Sequence, residues 1–176
     1  MTGNDIAVLM CFLAAAIALA GFAGIVTSID RGAAVASNEV ISFRARSLVT
    51  SAVALVFLSV LPVLLEALEL FQSSLWQRCC VVSAIGIGAR LFSLLSARLR
   101  MRGGKDAGLS HSLFATNMTL GALAFGVLVA GASGAVPGRG AYFTGLFYLL
   151  YLMCTLFHRM VAMADAAASQ AAKKKQ

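Results

Sequence analysis

Charge is what this chain has least of. Of its 176 residues only 12% are Asp, Glu, Lys or Arg, against 60% hydrophobic, whereas a soluble domain carries about 25% charged residues. Too little charge is present to cover a water-facing surface, so a soluble globular protein is excluded. Short segments of alternating hydrophobicity are absent too, which excludes a transmembrane β-barrel. No Walker loop, GxSxG or HExxH occurs, so the common soluble-enzyme signatures are missing. GIGAR, ending at Arg90, resembles a glycine-rich phosphate loop only superficially, because it lies inside an apolar run with no strand before it. The cysteines Cys11, Cys79, Cys80 and Cys154 show no CxxC or Cys/His ligand spacing, so neither a metal site nor a catalytic residue is expected. They read as small apolar residues; the vicinal pair Cys79 and Cys80 falls near the outer surface, where it could react, but would make only a strained disulfide. The opening MTGNDIA holds an acid and no base, so a cleaved secretory signal is not expected.

What is there is apolar sequence in long runs. Five of them, Ile6 to Ile29, Leu48 to Phe71, Cys79 to Ala97, Leu113 to Ala135 and Ala141 to Ala164, are each long enough at about 1.5 Å per residue to cross a hydrocarbon core of about 30 Å. The expected fold class is therefore all-α: a polytopic membrane protein of about five transmembrane helices. Residues 1–165 read as one transmembrane domain, and residues 166–176 as a polybasic cytoplasmic tail.

The basic residues orient it. Arg31, Arg44, Arg46, Arg98, Arg100, Arg102, Lys105, Arg159, Lys173, Lys174 and Lys175 fall on one side of a five-span arrangement, and only Arg78 and Arg139 on the other. The positive-inside rule then places the N-terminus outside and the C-terminus inside. The net charge of +7 is thereby assigned to topology and to anionic headgroups at the inner face, not to a nucleic-acid partner.

Small residues mark two candidate packing faces. Ala16, Ala20 and Gly24 recur every four residues in the first span, and Ala122, Gly126, Ala130 and Gly134 do so in the fourth; such stripes let another backbone approach closely. Between the first two spans, Ser37 or Asn38 ahead of Glu39 is a plausible cap for a short interfacial helix, with a plain loop as the alternative.

Polar residues inside the spans are few and therefore informative. Pro62 lies near the middle of the second span, where it frees the carbonyl of Leu58 and predicts a kink. Glu66 and Glu69 follow on the same face, within reach of the outer headgroups. In the third span Cys79, Ser83, Gly86, Arg90, Ser93 and Ala97 form one narrow stripe, with Arg90 the one charge deep in the membrane. In the fifth, Thr144, Tyr148, Tyr151, Thr155 and His158 fall within an arc of about 80°, a polar stripe that should face protein or water rather than lipid. Counting from the outer ends puts Arg90 and Tyr151 at a common depth of about 16 to 17 Å, with Glu66 about 10 Å shallower. The expectation is that Arg90 meets Tyr151, with Glu66 as charge partner. Asn117 reads as an amide that glues helices together. Trp76, Tyr142 and Phe143 read as interfacial aromatics. His111 and His158 both fall near the inner face, where a haem between them is conceivable, but two histidines read more simply as surface or hydrogen-bonded groups, and no cofactor is expected.

The run FRARSLVTSAVALVFLSVLPVLLEALEL, then Trp76, Asn117 and GLFYLLYLMCTLFHRM, resembles a group of small bacterial multi-span membrane proteins of unknown function. The resemblance covers most of the chain in order. It implies a bacterial cytoplasmic (inner) membrane and brings no activity, cofactor or catalytic residue.

Three functional readings follow. The favoured one is a noncatalytic accessory or assembly subunit, whose small-residue faces dock other membrane subunits or a second copy. The alternatives are a small-solute or anion transporter or channel built around Arg90, and a membrane-embedded enzyme acting on lipid or quinone through a Tyr and His centre. Five spans are too few for the paired repeats of most secondary transporters without dimerisation.

Overall fold

The computed structural model describes residues 1–32, 39–69, 74–101 and 111–173. Every regular element among them is a helix: α1 Gly3–Gly32, α2 Glu39–Ala67, α3 Leu75–Met101, α4 His111–Ala132 and α5 Gly138–Lys173. All five contain a stretch long and apolar enough to cross a membrane: Gly3–Phe22, Ser47–Ala67, Leu75–Ser96, Phe114–Ala132 and Gly138–Arg159. The chain is thus all-helical and has the make-up of a multi-pass membrane protein.

The helix ends differ from the apolar runs in instructive ways. α1 opens with a reciprocal cap, Thr2 N–H donating to Asp5 Oδ2 at 2.9 Å and Asp5 N–H to Thr2 Oγ1 at 3.4 Å, which satisfies donors that the first turn leaves over. α2 begins at Glu39 and runs without a break into its apolar stretch, so residues 40–46 are its opening turns and not a separate interfacial helix. It continues through Pro62, which is buried. It then stops at Ala67, short of the expected Phe71: Leu68 and Glu69 form a turn in which Glu69 N–H donates to Glu66 O at 3.0 Å and Glu69 takes a φ of 55°. That left-handed residue closes the helix in the place glycine usually fills. Glu69 therefore does not continue the helical face that carries Glu66.

α3 starts four residues before the expected Cys79, and takes Trp76 and Arg78 into its first turn. α4 ends at Ala132, and Gly134 sits in the following turn with a φ of 80°, so the fourth member of the expected small-residue stripe is not a helical position. α5 continues to Lys173, making most of the expected tail a helical extension; Lys174 and Lys175 lie outside the described residues, as do the proposed caps Ser37 and Asn38.

Two compact units divide the chain. The first comprises Met1 and residues 60–148: the end of α2, all of α3 and α4, and the opening turns of α5. Its buried side chains include Leu75, Cys79, Cys80, Ala84, Ile87, Ala124, Leu128, Tyr142, Leu146 and Tyr148. The second comprises residues 2–59 and 149–176. It buries Leu9 and Ala16 of α1, Leu48, Ala52, Leu55 and Leu58 of α2, and Leu149, Leu152 and Met153 of α5. Within it the rings of Phe22 and Phe157 meet at 6.5 Å, linking α1 to α5. Ser51 and Ser59 are buried there, and each donates its hydroxyl to the carbonyl four residues back, at 2.9 and 2.8 Å. Both hydroxyls are thus hydrogen-bonded within their own helix.

Candidate functional site

The polar and close-packed residues of the first unit gather where α3, α4 and the start of α5 meet. Glycine makes the meeting possible. A methyl at Gly131 would stand 2.5 Å from Ala141 Cβ and 3.1 Å from Cys80 Sγ, and one at Gly138 would stand 3.1 Å from Trp76 Cβ. At 2.5 Å a side chain is excluded as the backbone stands, and at 3.1 Å the neighbour would have to give way. The approach lets the Cys80 thiol donate to Gly138 O at 3.2 Å, and it seats Tyr142 fully buried beside Trp76 and Phe143, with ring centroids 5.8 and 6.4 Å away. Trp76 and Phe143 are themselves 5.7 Å apart. The three aromatics expected at the outer interface form a packed cluster. Tyr142 reaches in as far as Ser83, with which it interacts. Cys79 and Cys80 are free thiols, both buried, so the adjacent pair is neither bridged nor open to reagents.

About three turns further along α3, at Leu91, lies a second junction. A methyl on Gly121 would come within 2.5 Å of both Leu91 Cδ2 and Tyr148 Oη, so one bare backbone position on α4 receives a side chain from α3 and another from α5. The Tyr148 hydroxyl donates to Asn117 O at 3.4 Å. Arg90, half-buried on α3, interacts electrostatically with Tyr148. Tyr148 lies one turn before Tyr151, the tyrosine expected beside Arg90. The carboxylate of Glu66, proposed as the charge partner of Arg90, is paired with the Met1 ammonium at 2.5 Å.

The face of α4 that packs in this unit is not the one its i+4 stripe marks. Gly121, Ala124, Leu128 and Gly131 are buried, whereas Ala122 and Gly126 are exposed, Ala130 is half-exposed, and the space beside Gly126 is open. At about 100° per residue the two sets centre on opposite sides of the helix. In α1, Ala16 is buried, Ala20 half-exposed and Gly24 exposed with open space beside it.

The remaining polar positions are more peripheral. Asn117 contributes its backbone carbonyl to Tyr148, with its side chain half-buried. On α5, Thr144 and His158 are exposed and Tyr151 and Thr155 half-exposed, leaving Tyr148 as the one buried member of the polar stripe. Both threonine hydroxyls donate to their own helix, Thr144 to Gly140 O at 3.0 Å and Thr155 to Leu152 O at 2.9 Å. Among the described residues no group of three His, Cys, Asp or Glu side chains is placed to hold a metal ion. The side chain of His111 lies outside the described residues.

No family model, no curated protein and no solved structure matches this chain. The geometry stands alone, and its most constrained residues were not singled out by sequence: Gly121, Gly131, Gly138 and Gly145, the last against the Leu128 side chain. The signal that would have found the α4 pair is the alternation of three and four residues in Gly121, Ala124, Leu128 and Gly131, which stays on one helix face where a strict spacing of four drifts by about 40° a step.

Proposed function

We propose that this chain is a noncatalytic accessory or assembly subunit of a bacterial inner membrane, inserted with its N-terminus outside and C-terminus inside, that docks a helix of another membrane subunit. The supporting observation is the second face of α4. Its first face is engaged with α3 and α5, yet Ala122 and Gly126 on the other side are just as small and exposed, with open space beside Gly126. Against lipid a glycine contributes little packing, whereas against a helix it lets the two axes close to contact. Residues with the highest chemical potential in the first unit are meanwhile spent on the fold itself: the Tyr148 hydroxyl on α4 and the Cys80 thiol on α5.

The orientation rests on the one-sided distribution of arginine and lysine, and the bacterial membrane on the resemblance of the sequence. The test is purification from native membranes in mild detergent. Stable membrane subunits should co-isolate with the wild-type chain and be lost from Gly126→Leu, whose own folding should be unchanged. Isolation of the chain without other subunits, stabilised by an anionic solute and sensitive to Arg90→Lys, would replace this reading with transport.

A further inference from the structure

The polar stripe of α5 has a spacing that the docking role of α4 does not use. Thr144, Tyr148, Tyr151, Thr155 and His158 follow one another at intervals of four, three, four and three residues, the 3.5-residue period of a helix seam that another helix follows along its length. Tyr148 is turned into the chain, but Thr144 and His158 are exposed and Tyr151 and Thr155 half-exposed, all within or at the end of the apolar stretch Gly138–Arg159. The phenol of Tyr151 lies within the apolar stretch, where hydrocarbon offers it no partner, so something must cover it.

We infer that this seam pairs with the same seam of a second copy, making the chain a parallel homodimer through α5. The polar groups are distributed from Thr144 to His158, about 21 Å along the helix. A phospholipid carries its polar atoms at one end only and leaves the rest of the seam against acyl chain; a helix offers side chains at every level. A second copy in the same membrane, related by a two-fold axis along the membrane normal, brings the same residues to the same depths. Hydroxyl groups and neutral imidazole each donate and accept hydrogen bonds, so the seam is complementary to itself. It carries no Lys, Arg, Asp or Glu, so pairing brings no like charges together. This goes beyond the α4 docking reading and stands or falls separately.

The experiment uses the full chain reconstituted in bilayers at low density, with subunits counted by single-molecule photobleaching. Wild type should be dimeric, and Tyr151→Phe, Thr155→Val and His158→Leu should each weaken the dimer about threefold and by an order of magnitude or more together, the scale of interhelical hydrogen bonds in membranes. Gly126→Leu should leave this dimer intact. In parallel, Thr155→Cys in a chain whose Cys11 and Cys154 are replaced by Ser should form a disulfide-linked dimer on mild oxidation, while Leu123→Cys on α4 should not. A monomeric wild type, a dimer unmoved by the triple change, crosslinking through α4 alone, or a seam occupied by a copurifying lipid or foreign helix would each overturn the inference.

Discussion

Gly121 and Gly126 stand five residues apart on the same helix, and their surroundings could hardly differ more. Gly121 is pressed by Leu91 on one side and by the Tyr148 hydroxyl on the other; Gly126 faces open space. Both belong to runs of small residues, and composition does not tell them apart. The difference is one of phase. Close helix packing inside the chain has chosen positions that alternate by three and four, while the more conspicuous repeat of four lies round the back. A small-residue pattern thus marks where a close neighbour would fit, and only the packing shows which side of the helix has one.

That contrast can be broken most forcefully at Gly121. Replacing it by Leu places a branched chain where even a methyl would collide with two side chains; overpacking of this kind costs about 1 to 3 kcal/mol or more. A fall of at least several degrees in the melting temperature of the detergent-solubilised chain is expected, with Gly126→Leu unchanged in the same assay. Equal melting temperatures for the two variants would erase the distinction between the faces. Gly131→Val is expected to be next, since Ala141 and the Cys80 sulfur crowd that position and only the sulfur can swing aside.

Smaller effects sharpen the picture of the Gly121 junction. Tyr148→Phe removes a long hydrogen bond to Asn117 O and should cost about 0.6 kcal/mol, the average for such bonds between membrane helices. Arg90→Leu should still fold, because a nonpolar side chain relieves the desolvation of a charge in the span. The double variant should be non-additive if Arg90 and Tyr148 act as a pair, and additivity within about 0.3 kcal/mol would dissolve it. Smallest of all is Gly126→Ala. With nothing nearby to strike, it should be neutral or raise stability by up to about 1 kcal/mol, through helix propensity alone.

The number of helices and their apolar stretches were legible because length and hydropathy are properties of a segment by itself. Their ends were less so: the apolar run continues past Ala67 to Phe71, and nothing in it announces that Glu69 adopts a left-handed turn there. The α5 stripe illustrates a deeper limit. Periodicity correctly gathers Thr144, Tyr151, Thr155 and His158 on one arc, yet a period carries no information about which way the arc is turned. Only the packing of Tyr142, Leu146 and Leu149, all buried, sets it toward the outside. Depth counting brought Arg90 to the level of Tyr151; within its own unit Arg90 interacts with Tyr148, one turn before Tyr151 on α5. The glycines that matter most were invisible for the opposite reason: their value lies in atoms they lack, and what they lack is meaningful only once the neighbours are in place.

The four cysteines divide evenly, Cys11 and Cys154 exposed and Cys79 and Cys80 buried, with Cys80 against Gly131 where α3, α4 and α5 meet. With Cys11 and Cys154 exchanged for Ser, the chain therefore carries a native stopwatch. A thiol-reactive fluorophore should stay dark while α3, α4 and α5 remain clasped and light up as they part, so the rate of signal gain at rising temperature reads the opening of that clasp without any label on the folded protein.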